Sequence, residues 1–245
     1  MRDVLGYGTT GLIVHDKASQ TVIKTPFSWD CDALVSRERD IYERLTQLGG
    51  HPGILRYYGA VDSGIRLEYA PNNNIRTFYE RQGGAISLEQ RLRWATQIAE
   101  ALSFVHSAGV IHGDLTCHKI FLDDALNAKV ADFAGSSLDG SELLIAVTAS
   151  HESPSPALST WGDIFAFGSV VYEIMTAKPP YTGLSESEIN DRYKKGEFAD
   201  TASLGQLGII IRKCWLGQYD GFATIAGDLR GTISLPCSQP KPALK

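Results

Sequence analysis

Two aspartates constrain this chain more than any other feature. Asp114 lies in VIHGDL and is followed by the apolar run KIFL, while Asp132 ends the β-type run AKVADF. A carboxylate held between buried strands is costly unless it is paired or does chemistry. A structural cap explains either acid alone. Both reach one site if the strand after Asp114 and the strand before Asp132 pair as a hairpin.

The chain around them divides in two. Residues 1–69 read as β-rich with one helix. VLGYGTTGLIV, QTVIKT, ILRYYGAV and IRLEYA are short and rich in β-branched and aromatic residues. Between them, SRERDIYERLTQL places Ile41, Leu45 and Leu48 on one stripe of a charged helix, and GGHPG stops it. From residue 70 to 238 the reading is mainly helical. ISLEQRLRWATQIAEALSFVHSAG carries an S-x-x-Q capping box at Ser87 and Gln90, an apolar face from Leu88 to Val105, and Gly109 at its end. Further helices are expected over Asp163–Thr176, in ESEINDRYKKG and in LGQLGIIIRKCW, with a polar, Ser-rich segment from Gly135 to Thr160. Residues 239–245 read as a tail. The fold class expected is α+β and bilobal, hinged near residue 70.

Composition sets limits on partners. A net charge of −5 over 245 residues argues against nucleic acid or an anionic membrane. IFAFGSVVYEIM is too short to span a bilayer, and MRDVLGYGTT has no apolar signal region. Cys31, Cys117, Cys214 and Cys237 are widely spaced, as reduced cytoplasmic thiols are. Oligomeric state is not legible.

Three further features bear on chemistry. Gly6, Gly8 and Gly11 form a G-x-G-x-x-G pattern. Glycines let backbone N–H groups approach phosphate oxygens, although a hairpin without ligand uses them too. A strand follows the pattern, which disfavours a dinucleotide fold. Lys24 is the one charge in TVIKT, and reads either as a solvated edge residue or as the partner of a carboxylate. Glu38 lies beside the apolar stripe of the next helix and is the candidate partner, whereas Glu43 points away. A solvated helix face is the plainer reading of both.

Taken in order, these motifs resemble those of a eukaryotic-type protein kinase, over about residues 5 to 215. HGDL, DFAGSSLDG and GDIFAFGSVVYEIMT look most similar to a divergent, fungal-like group with partly degenerate motifs. The resemblance implies ATP and Mg²⁺ as cofactors and a protein as substrate. It implies that Gly6, Gly8 and Gly11 cover the phosphates. Lys24, anchored by Glu38, would hold the α- and β-phosphates. Leu67 would back the adenine pocket, and Glu68 to Ala70 would offer hinge backbone groups. Asp114 would accept the substrate proton, Asp132 would bind Mg²⁺, and Asp163 would hold the catalytic loop.

Departures from the pattern matter as much. Gly113 replaces an arginine, so a phosphate on the following segment would lack that partner, although Ser136, Ser137, Thr148 and Ser150 are available. Ala134 replaces a glycine and Thr116 a lysine. ASHE, Ala149 to Glu152, stands near the place of A-P-E, with Phe222 where its arginine partner belongs. The first strand reads as largely absent. Lys119 stands in place of a metal-binding asparagine. At ~4 Å two unit charges interact by about 4 kcal/mol at an effective dielectric of ~20, and a divalent ion by more. Lys119 therefore either swings away or supplies part of the metal's charge. His118 is a poor substitute, since Mg²⁺ prefers oxygen.

Three functions are compatible with these residues: a Ser/Thr protein kinase with weakened Mg²⁺ binding, a pseudokinase that holds nucleotide or partners without efficient turnover, and a small-molecule phosphotransferase.

Overall fold

The computed structural model describes residues 2–7, 10–28, 31–82, 86–154 and 158–233. Gly8, Cys237 and the tail 239–245 lie outside them.

Five antiparallel strands build the first lobe: β1 (Arg2–Tyr7), β2 (Gly11–Asp16), β3 (Thr21–Pro26), β4 (Tyr57–Val61) and β5 (Gly64–Glu68), in the order β1-β2-β3-β5-β4. The first strand is not missing, as the sequence suggested. It runs for six residues and pairs with β2 from Arg2 opposite Asp16 to Tyr7 opposite Leu12, with a bulge between Val4 and Gly6. α1 (Asp32–Gln47) crosses this sheet. Val35, Ile41, Tyr42 and Leu45 form its buried stripe, and Glu38 sits in the same stripe.

The second lobe contains α2 (Ile75–Gln82), α3 (Leu88–Ser107), α4 (Thr160–Thr176), α5 (Glu186–Lys194), α6 (Gln206–Trp215) and α7 (Phe222–Ile233), with short strands β6 (Val110–Ile111), β7 (Ile120–Leu122), β8 (Ala128–Val130) and β9 (Ser137–Leu138). The architecture is therefore bilobal α+β, as expected.

Local differences have physical causes. Only half of the capping box at α3 forms. Ser87 accepts from the Gln90 amide at 3.2 Å, but the Gln90 side chain turns away to the Leu126 carbonyl. The complete box is at α5, where Ser185 and Glu188 cap each other. α4 begins at Thr160, three residues before the expected start, because Ser159 caps it through the Gly162 amide. α2 and α7 were not legible. α7, FATIAGDLRGTI, has two glycines and several β-branched residues, so its intrinsic helix propensity is poor. Packing against α3 supplies what propensity lacks, through buried Phe222, Ile225, Ala226 and Leu229.

β7 and β8 pair as an antiparallel hairpin, Ile120 opposite Val130 and Leu122 opposite Ala128. Asp114 precedes this hairpin and Asp132 follows it. The hairpin thus delivers both acids to the space between the lobes.

Candidate active site

A cleft of about 740 Å³ separates the lobes, a size suited to a small organic ligand. Gly6, Lys24, Glu38, Leu67, Glu68, Ala70, Asp114, Lys119 and Asp132 all contribute to its wall.

Lys24 occupies the middle of β3, opposite Ile13 of β2 and Ile65 of β5. Its Nζ lies 2.7 Å from Glu38 Oε2 and 2.5 Å from Asp132 Oδ1. Glu38 could share the buried stripe of α1 only with such a partner, because an unpaired carboxylate there is too costly. Glu43 instead faces the Tyr57 hydroxyl at 3.2 Å. Burial alone would push Lys24 down, but Glu38 and Asp132 hold its pKa well above the usual range. Burial raises the Glu38 carboxyl, opposed by Lys24.

The loop after β6 is held from beneath by Asp163. Its Oδ2 accepts from the His112 amide at 2.7 Å and its Oδ1 from the Gly113 amide at 2.8 Å, while His106 Nε2 lies 2.8 Å from Oδ2. Burial would raise the Asp163 carboxyl, yet the bonds to His106 and the loop lower it. His106, in the last turn of α3, was missed. Its only sequence signal was a basic residue near a helix C-terminus.

Lys119 neither swings away nor stands free. Its Nζ pairs with Asp132 Oδ2 and lies 3.4 Å from Asp114 Oδ2. Its backbone is anchored beside them, since its amide donates to the Thr116 carbonyl and its carbonyl accepts from the Ala131 amide, both at 2.9 Å. Burial opposes the charge on Lys119, but Asp132 and Asp114 outweigh it and raise its pKa. Asp132, in the left-handed region at φ +65, is therefore gripped on both oxygens. Burial would raise its carboxyl, and the two ammonium groups hold it far below the usual range.

This donor set does not suit Mg²⁺. The ion needs several oxygen ligands at short distance. Here the one assigned carboxylate has both oxygens engaged by ammonium groups, and no cluster of three or more His, Cys, Asp or Glu suited to a metal occurs among the described residues.

The glycines divide. Gly6 borders the cleft with open space around it. Gly11 does not border it. A Cβ there would sit 2.2 Å from the Thr25 carbonyl oxygen, so the close approach of β2 and β3 already demands glycine. At the hinge, the Glu68 amide donates to the Arg56 carbonyl at 2.8 Å, and the Ala70 carbonyl accepts from the Asn73 amide at 3.1 Å. Leu67 is buried behind them.

The segment after Asp132 is docked without phosphate. Arg37 of α1 donates to the Ser136 carbonyl at 2.9 Å and to Ser141 Oγ at 2.7 Å, and Arg44 pairs with Asp139 at 2.9 Å. Neither arginine was singled out in the sequence, where they belong to the charged background of the helix. At Gly113, φ is +74 and a Cβ would lie 2.3 Å from Leu143 Cδ2, so an apolar contact fills the place of the expected arginine. Of the four hydroxyls expected to be available there, Ser136, Ser137 and Ser150 are buried and only Thr148 is exposed. Phe222 packs edge-on against His106 and Phe167. Instead of an arginine brace, the Tyr193 hydroxyl donates to the Ser150 carbonyl at 3.0 Å. No ion pair engages Glu152 among the described residues.

A five-stranded lobe with one crossing helix, a helical lobe, and a cleft lined by a paired strand lysine and two loop aspartates define a protein-kinase domain. The chain belongs to the protein tyrosine and serine/threonine kinase family, whose family model matches residues 4–221. Among curated relatives, serine/threonine-protein kinase PDK1 of Cryptococcus neoformans is 30% identical over 56% of this chain and 12% of its own length. Serine/threonine/tyrosine-protein kinase HT1 of Arabidopsis thaliana is 28% identical over 67% of this chain and 46% of its own. Megakaryocyte-associated tyrosine-protein kinase of Rattus norvegicus is 27% identical over 66% and 36%. The chain thus spans less than half the length of each. These relatives come from a fungus, a plant and a rodent at similar identity, so they carry the family and not a fungal subgroup. No helix among the described residues is long and apolar enough to cross a membrane.

Proposed function

We propose that this domain binds ATP in the interlobe cleft and transfers its γ-phosphoryl group, at an attenuated rate, to Ser or Thr of a protein in the cytoplasm. The observation that carries this reading is the position of Lys24, held between Glu38 and Asp132 on the cleft wall with Asp114 nearby. Lys24 would hold the α- and β-phosphates, and Gly6 would lie over them. Leu67 and the hinge from Glu68 to Ala70 would take the adenine. Asp114 would accept the proton of the attacking hydroxyl at a carboxylate oxygen. Of the three relatives above, PDK1 is a serine/threonine-protein kinase by name and HT1 a serine/threonine/tyrosine-protein kinase, so the Ser/Thr choice rests on phosphoamino-acid analysis.

Attenuation follows from Lys119. It engages Asp114 as well as Asp132, so the base must be freed before it can work. Losing one positioned electrostatic contact lowers turnover by about 10²–10³ at comparable sites. The same bridge favours the second reading, a pseudokinase that holds nucleotide without efficient turnover.

Labelled ATP, a mixed protein substrate and phosphoamino-acid analysis separate these. The kinase reading expects label on Ser or Thr that disappears in Asp114→Asn. Label that survives Asp114→Asn removes the base assignment. No label from either protein, with ATP still raising Tm, leaves the pseudokinase.

A further inference from the structure

Asp132 and Asp114 face the cleft, and the group that lies between them is an ammonium. A carboxylate takes a divalent ion only by presenting a free oxygen. Each Asp132 oxygen already accepts from an ammonium, Lys24 at Oδ1 and Lys119 at Oδ2, so a dication arriving there meets two positive charges. Expelling Lys119 would place its charge against the incoming dication. The backbone keeps the root of the Lys119 side chain beside Asp132. It is bonded on both sides, to Thr116 and to Ala131, the residue before Asp132.

The same arrangement suits a polyphosphate. Lys24 and Lys119 flank Asp132 from opposite sides, and both border the cleft. Anionic oxygens entering between them meet two ammonium groups. Lys119 has three N–H donors, enough to keep one carboxylate while bonding a phosphate. Its side chain is 15% exposed, so it is open to the cleft and not sealed in the core.

We propose that Lys119 is a built-in cation that replaces the divalent ion, so that this domain binds a nucleoside polyphosphate without metal. The proposal rests on the nucleotide-binding reading above. It concerns binding alone, and Lys119 acts by contact with phosphate oxygens.

Calorimetric titration of ATP into the wild-type domain, in EDTA and then in excess MgCl₂, tests it. The expected Kd values agree within about threefold. Lys119→Asn removes the charge, so its affinity in EDTA falls by about tenfold or more, and MgCl₂ restores it. Lys119→Arg keeps the charge and retains binding in EDTA, which separates loss of charge from loss of folding. Wild-type protein that binds ATP more than about threefold more tightly with MgCl₂ than in EDTA overturns the proposal and leaves the nucleotide reading standing. Lys119→Asn that binds in EDTA as tightly as wild type overturns it as well. A wild-type domain that binds ATP in neither condition overturns both readings.

Discussion

Asp132 is held by an ammonium group on each side, and the two sides differ in depth. Toward the sheet, the Lys24 and Glu38 side chains are 6% and 1% exposed. Toward the cleft, Lys119 and Asp114 are 15% and 13% exposed. The chemistry is the same and the settings are not. The inner pair is the more deeply buried, so losing a partner there costs more stability, although Lys24 also borders the cleft. The outer pair is more open to water or a ligand, so changing it should alter binding more than stability.

The sharpest way to break this comparison is to remove one lysine from each side. Lys24→Met strands Glu38 in the core, and removing one partner of a buried pair destabilises by about 3–5 kcal/mol. Urea denaturation measures it, and adding Glu38→Gln should recover part of the loss. Equal effects of Lys24→Met and Lys119→Asn would erase the distinction between the sides.

Asp163→Asn comes next. Asn offers one oxygen where the His112 and Gly113 amides need two, and leaving a buried donor unsatisfied costs about 1–3 kcal/mol. The loop that carries Asp114 should loosen, seen as faster amide exchange at Gly113.

The pH dependence follows in size. Asp132 and Asp163 are depressed in the folded protein, so the unfolded chain binds protons first as pH falls. Their contribution is present above the unfolded carboxyl pKa, about 4, and is lost as pH drops through the lower folded values. Tm should therefore fall below about pH 4, and less steeply in Asp163→Asn.

The smallest expected effect is that of Lys119→Asn on stability. Asp132 keeps Lys24 as a partner and both acids border the cleft, so the loss should be smaller than that of Lys24→Met, read in the same urea series.

Much of this was legible from the chain. The order of motifs gave the family, and two acids beside apolar runs gave the hairpin that unites them. Glu38 could be chosen over Glu43 because it lies beside the apolar stripe of α1 while Glu43 points away. Other parts were beyond the sequence for stated reasons. Where Lys119 would point depends on distances that spacing does not contain. Arg37 and Arg44 sit in a charged helix, and only the tertiary path of residues 136–142 turns them into docking contacts. α7 has weak propensity and forms because α3 covers it. The first strand was not legible because the Gly-rich pattern begins at Gly6, close to Met1, whereas β1 runs through Gly6 to Tyr7.

The most direct test is a crystal structure of the wild-type domain soaked with ADP and MnCl₂, with Mn²⁺ located by anomalous scattering. No Mn²⁺ is expected at Asp132, with Lys119 Nζ still beside it. An Mn²⁺ peak bound to Asp132, with Lys119 turned out of the cleft, would contradict this expectation.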